Sequence, residues 1–556
     1  TTDHPGRRVG GLAISARIGT PMRRTFSVAA AAIALGLTTL PASGQAQLTL
    51  AGVPRADCGP GSDPETAEQG RVPPSDRESG RADRPYTCNT ELVGHHGSTG
   101  GFKIWRYIDQ DGTECAYYDS TILLPFNVLD QASTGFGVIV LDMTDPSNPV
   151  ATATLTTPAM LSPHESLVLH EDRGLLAAAM GTATTYPGIV DIYDVSEDCT
   201  QPRLLSSTPV GFLGHESGMS PDGMTLYVAS TATGLSAAID ITNPALPVPL
   251  WIGTRQSHGI NISNDGTRAY FTALDVGSRG ISGSYGEFKG GVAIYDVSAI
   301  HERQSNPSPQ LISELTWPEA AIPQVAIPVT IGGHPYLVEI DEYVPAPDFI
   351  SPDAVPGGAR IIDIADETAP HVVSNIRLEV HDPEVRASAS LADDFFPGTG
   401  GILGYVGHYC SVPKREDPGI VACGMTASGL RVFDIRDPHH PREIAYFNAP
   451  AKPNTLVGFQ GTAVNFSAPA YVPERGEIWY SDAASGFWVV RVTNGVWPFE
   501  DAGQIAPGDD TAGAPDVNDG PTTPSTGSAL PTAAALGAVL LATLTWRRRA
   551  AGSPAD

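Results

Sequence analysis

Five histidines recur in similar local settings along the chain: His95 in VGHHG, His164 in SPHES, His215 in LGHES, His258 in QSHGI and His408 in VGHYC. Gln324 and Gln460 take the same place in two further copies of the pattern. Several neutral imidazoles converging with a carboxylate suit zinc, copper or iron, and Glu165 and Glu216 each directly follow one of the histidines. A metal reading therefore takes His164, His215, His258 and His408 as ligands of a divalent ion, and Glu165 or Glu216 as the base. His95, Gln324 and Gln460 then line the same channel. A metal-free reading has the ring hold a polar or anionic ligand, with histidine as acid or base near neutral pH. In a purely structural reading each histidine caps its own strand on a neighbouring turn.

What could gather such distant residues is a second, stronger repeat. A glycine opens an alternating apolar run that ends in Asp, and a Pro-closed turn follows. The copies are GVIVLDMTDPSNP from Gly137, GIVDIYDVSEDCTQP from Gly188, GLSAAIDITNPALP from Gly234 and GVAIYDVSAIHERQSNPSP from Gly291. GARIIDIADETAP from Gly358, GLRVFDIRDPHHP from Gly429 and a degenerate GFWVVRVTNGVWP from Gly486 complete the set. Their Asp142, Asp194, Asp240, Asp296, Asp363 and Asp434, with Arg491 in the last copy, recur at a spacing typical of propeller blades with loop insertions.

Each run is rich in Val and Ile with period-two alternation, the pattern of a half-buried strand. The Pro turn interrupts the ladder because proline has no N–H to donate. Ser220-Pro221-Asp222-Gly223 and Ser263-Asn264-Asp265-Gly266 are hairpin turns between adjacent strands. The expected fold is all-β, a seven-bladed β-propeller, with six or eight blades as alternatives. Radial symmetry then brings the histidine positions together near one mouth of the channel. Closing the ring needs a strand from Leu48–Val53, from Glu91–Val93 or, locally, from Val496–Phe499.

GVIVLD, GIVDIYD, GVAIYD and GLRVFD resemble the LVIVD repeat of exported bacterial and archaeal propeller proteins. The likeness covers about Leu92 to Pro498. It implies a propeller and, in some members, a C-terminal anchor; it implies no single reaction.

The ends fit export. MRRTFSVAAAAIALGLTTLPASGQAQ from Met22 has a basic start, an apolar middle and a small residue for cleavage, so 22–46 is expected to be a signal peptide. Residues 1–21 are expected to be upstream non-native sequence, 47–90 an irregular arm and 91–500 the propeller. Residues 501–528, rich in Asp, Gly, Pro and Thr, are expected to be a disordered linker. Residues 529–549 combine an apolar stretch with Arg547-Arg548-Arg549 and are expected to form a transmembrane anchor or sorting signal, leaving 550–556 as a tail. An exported chain with an even number of cysteines suggests disulfides. Six cysteines allow fifteen connectivities; Cys410 with Cys423, on one hairpin, is the first expected, and Cys58 with Cys88 and Cys115 with Cys199 are candidates for the rest.

A net charge of −28 argues against nucleic acid as a partner. The expected partners are a surface protein or small-molecule ligand, together with a membrane through the C-terminal helix. Asp109 to Glu114 begins like a calcium loop but lacks its later Glu, and reads as a surface turn. Glu339 and Asp341 alternate onto one face of a strand and Glu342 onto the other, read as a solvated edge. No G-x-S-x-G elbow, P-loop or H-E-x-x-H helix is present. The leading expectation is a membrane-tethered cell-surface binding scaffold. The alternative is an exported metal-dependent hydrolase or oxidase with its site in the channel.

Overall fold

The computed structural model describes residues 50–499 apart from 121–136, 181–187, 212–214, 230–234, 256, 274–289, 318–321, 343–355, 394–403 and 451–462. The expected signal peptide, linker and C-terminal anchor lie outside the described residues, as does Gln460. No described helix is long and apolar enough to cross a membrane.

The described strands form seven antiparallel sheets, one per blade. The Gly-to-Asp runs are the third strands: Val138–Asp142, Val190–Asp194, Ser236–Asp240, Gly291–Asp296, Ala359–Asp363, Leu430–Asp434 and Gly486–Val492. The closing Asp has a physical purpose in each of the first six. Its carboxylate accepts the backbone N–H two residues on, at 2.8–3.1 Å, in Asp142, Asp194, Asp240, Asp296, Asp363 and Asp434. That bond folds the chain out of the strand. In the seventh copy Arg491 instead bonds Glu91 and Glu477.

The first strands are Ile104–Ile108, Val168–His170, Ser217–Met219, Ile260–Ile262, Ile322–Ile331, Tyr409–Ser411 and Ala470–Val472. Neighbouring blades meet along them, and just before them Lys103 bridges Ala468 and Glu165 bridges Glu216 in parallel fashion. The core lies between blades. Ala177 and Ile192 of blade two, for example, pack with Leu226 and Ile239 of blade three, all fully buried. Burying each such aliphatic side chain contributes about 1.5–3 kcal/mol, more for a large one than for Ala.

The ring is closed by Thr90–His96, which pairs with Gly486–Val492 as the fourth strand of blade seven. Its pairing shifts register between Leu92 and Gly94, as the fourth strands of the other blades do at the matching place. Glu91–Val93 therefore closes the ring. Tyr86–Cys88 adds a fifth strand to blade six beside Arg442–Asn448, an element the sequence did not suggest. Ahead of it the arm lies against blades five and six: Val53 N–H donates to the Arg377 carbonyl (2.8 Å) and Gln69 donates to Glu443 (2.8 Å).

All three disulfides are present, Cys58–Cys88, Cys115–Cys199 and Cys410–Cys423. The Asp109 loop is a turn closed on its own carboxylate, which accepts from the N–H groups of Asp111 (3.0 Å) and Thr113 (2.9 Å).

Candidate metal centre

The closure corrects one site residue. His95 lies on the outer strand Thr90–His96, so it does not line the channel; its Nε2 donates to the Ser485 carbonyl (2.6 Å) and its ring rests on Trp488. The corresponding position in blade one is held by Lys103, directly ahead of Ile104–Ile108. His164, His215, His258 and His408 do stand just ahead of the first strands of blades two, three, four and six, and Gln324 lies in that of blade five.

Local structure fixes these histidines. The backbone N–H of His215, His258 and His408 donates to the carbonyls of Ala229, Thr272 and Gly424, at the far ends of the second strands, at 2.7–3.0 Å. The Ser166 hydroxyl donates to the Pro163 carbonyl (2.6 Å), and accepts the Ala179 N–H (2.9 Å). These bonds hold the turn that carries His164 and Glu165. His164 itself has φ +51°, a left-handed conformation that costs an L-residue about 1–2 kcal/mol. At Gly259 a side chain is excluded, because a Cβ would lie 2.0 Å from Glu216 Oε2 and 2.4 Å from the Gln324 carbonyl.

The donor atoms converge. His215 Nε2 lies 3.3 Å from Glu165 Oε2, and His258 Nδ1 lies 3.5 Å from the same oxygen. His408 Nε2 lies 3.6 Å from Glu165 Oε1 and 3.0 Å from Glu342 Oε2. His258 Nε2 is 2.8 Å from Glu342 Oε1 and 3.0 Å from His215 Nε2. His164 stacks edge-on against His215, with ring centroids 4.4 Å apart. Around this core Gln324 Nε2 donates to Glu165 Oε1 (2.8 Å) and Lys103 Nζ to Glu216 Oε1 (3.2 Å). Lys103 also sits 3.9 Å over the Tyr409 ring. Phe102 and Phe466 pack against His408, making one wall apolar.

His164, Glu165, Glu216, His258, Glu342 and His408 are all buried, whereas the His215 side chain keeps 19% of its exposure. His215 is thus the most exposed of these side chains. Burial and the neighbouring His215 push the His164 pKa down to about 3, so this imidazole is neutral. For His258 burial opposes the charge, but Glu165 and Glu342 outweigh it and hold its pKa well above the usual imidazole value. Burial likewise works against ionised Glu165 and Glu342. The charge of His258 wins: it holds Glu165 well below the usual range and brings Glu342 to about 2.

Sequence reasoning missed Glu342, Lys103 and Tyr409. The solvated-edge reading of Glu339, Asp341 and Glu342 is overturned, since all three are buried. The alternation was right and the surroundings were not. Glu339 and Asp341 both bond Arg360 on one face, while Glu342 turns into the channel on the other. The strand His334–Glu342 is covered on both faces, so its acids meet partners rather than water. Lys103 had a usable signal: the strand Ile104–Ile108 precedes the Gly137 copy at the distance of one hairpin.

No family profile matches the chain, and no curated protein does. Among solved structures, Kuenenia stuttgartiensis hydrazine synthase is 13% identical with a TM-score of 0.44, over 71% of this chain and 97% of that one. A putative 6-phosphogluconolactonase from Bacteroides fragilis NCTC 9343 is 10% identical with a TM-score of 0.42, over 64% of this chain and 90% of that one.

Proposed function

We propose that this protein is an exported metalloenzyme, of the LVIVD-repeat kind, that uses a divalent first-row ion in its channel for hydrolysis. One observation carries the reading. Two ligands bound at 2.0–2.2 Å to one tetrahedral or octahedral ion lie about 3.0–3.6 Å apart. The distances of 3.0, 3.3, 3.5 and 3.6 Å among His408, Glu342, His215, His258 and Glu165 fall in that range.

The surroundings agree. His408 Nδ1 donates to the Phe466 carbonyl (2.9 Å), which in a neutral ring leaves Nε2 as the lone pair facing the carboxylates. Glu165 Oε2, Glu216 Oε2 and His258 Nδ1 are buried and only loosely met, with His258 Nδ1 at 3.5 Å and 3.9 Å from the two oxygens, outside good hydrogen-bond geometry. Leaving such groups unpaired is costly unless a cation meets them. Three carboxylates face the Lys103 ammonium and a His258 held protonated, and a dication that displaces that proton leaves the site neutral. Nitrogen and oxygen donors without thiolate suit a Lewis acid that polarises a carbonyl or phosphoryl oxygen and supplies hydroxide near neutral pH. Glu216, tethered by Lys103 through one oxygen, is the base, and the exposed side of His215 is the way in. Three disulfides fit an oxidising compartment, and residues 22–46 and 529–549 fit export and tethering.

The test is metal content of the purified protein and of His164→Ala/His215→Ala, by mass spectrometry, followed by ester, lactone and phosphoester assays. Metal retained by the wild type and diminished in the variant, with turnover that a chelator abolishes, is expected. Turnover that depends on dioxygen would make the centre an oxidase. No metal in either protein after reconstitution would return the histidines to a structural role, leaving a surface scaffold for a protein or small-molecule partner.

A further inference from the structure

We propose that the channel centre holds two divalent ions, with Glu165 as the carboxylate that bridges them; this rests on the metal reading above. The two oxygens of Glu165 face different donor sets. Oε2 is 3.3 Å from His215 Nε2, and His164, Glu165 and His215 place one donor atom each within 4.8 Å of one another. Oε1 is 3.6 Å from His408 Nε2, and Glu165, Glu342 and His408 form a second group of the same tightness. Each group supplies three protein donors, the number a catalytic ion commonly takes while keeping a position open.

His258 lies between the groups, and with Glu165 and Glu216 it forms a third of the same tightness. Its Nε2 is 2.8 Å from Glu342 Oε1, while its Nδ1 is 3.5 Å from Glu165 Oε2. One imidazole thus borders both positions and can complete either. The two groups offer six donor atoms when both Glu165 oxygens are counted, more than the four that a tetrahedral ion takes. Two ions about 3.5–4 Å apart can use them all, and such a pair holds the attacking and the leaving oxygen at once. The second ion reverses the sign of the site, which a bridging hydroxide would offset in part. Gln324, donating to Glu165 Oε1, fixes the orientation of the bridge.

The experiment strips the purified protein with a chelator, reloads it with Zn2+, removes the excess and counts zinc per chain. A parallel Mn2+ loading is read by electron paramagnetic resonance. The expected result is two zinc ions per chain and an exchange-coupled manganese signal. His408→Ala and His164→Ala, each checked for native near-ultraviolet circular dichroism, should each keep one ion and lose the coupling. One zinc in the wild type, or two manganese ions without coupling, overturns the pair and leaves the metal reading standing. No zinc in the wild type overturns both. A folded His408→Ala that still holds two coupled ions also overturns the assignment.

Discussion

Glu342 Oε2 and His408 Nε2 meet at 3.0 Å although one ends the second strand of blade five and the other precedes the first strand of blade six. The contact joins two blades at the channel, and it makes Glu342 a buried acid, the one the metal reading takes as a ligand. Glu342→Gln keeps the shape and removes the charge. Losing even an outer partner of a ligand costs metal affinity about 10–100-fold, so this variant should lose at least that. Competition with a chromophoric chelator measures it, and an unchanged affinity would remove Glu342 from the site.

Gly259 tests the site without touching a ligand. A methyl group there meets Glu216 Oε2 and the Gln324 carbonyl, both held by neighbouring blades. Gly259→Ala should displace Glu216, cut turnover at least tenfold and lower stability by about 1–3 kcal/mol. Turnover and urea midpoint are read together. Full activity with a normal midpoint would show that Glu216 moves freely and is not the positioned base.

How much of this was legible turns on rank within a blade. His164, His215, His258 and His408 were found because each stands at the same step of a repeated pattern. Glu342 could not be found that way, since it sits at the end of a second strand and, among the described residues, one blade contributes such an acid to the cluster. Alternation separated it correctly from Glu339 and Asp341, but a sequence does not say that both faces of a strand are covered. His95 misled because VGHHG looks like VGHYC, while its strand crosses to close blade seven. Local similarity cannot reveal which strand the chain end supplies.

Arg360 is fully buried between Glu339 and Asp341, lies 4.0 Å over the Trp317 ring, and donates to Asp341 Oδ2 at 2.9 Å. Burial and the neighbouring Asp341 charge push the Glu339 pKa well up, with Arg360 opposing. Arg360→Ala should cost about 3–5 kcal/mol, because it strands two acids in the core. Arg360→Lys should recover part of that. Equilibrium urea unfolding decides, and a loss below about 1 kcal/mol would mean that water reaches the acids.

Cys115, in the second strand of blade one, is tied to Cys199, in the turn between the third and fourth strands of blade two, across 84 residues. The bond staples adjacent blades and shortens the unfolded chain. Cys115→Ser/Cys199→Ser should cost about 2–5 kcal/mol and lower the Tm. A Tm unchanged by the double variant would show that blade packing alone holds the pair together.

The repeated turn carboxylates set a pH dependence. Partial burial would raise the carboxyls of Asp194, Asp363 and Asp434. Their turn N–H groups, with Ser196 and Arg203, His334 and Arg436 respectively, hold each below its usual pKa instead. A folded-state pKa below the unfolded value of about 3.9 means that protons bind the unfolded chain more readily. The stabilisation is complete above that value and is lost as pH falls through the folded pKa. Asp482 and Glu443, raised by burial, act with the opposite sign, so the turn contribution must be isolated by difference. Asp194→Asn/Asp363→Asn/Asp434→Asn keeps an acceptor in each turn and removes the titration. The wild-type urea midpoint should fall more steeply than that of the triple variant between pH 5 and pH 3, both steps lying about the unfolded carboxyl pKa. Parallel curves over that interval would show that the turns hold their protons equally in both states.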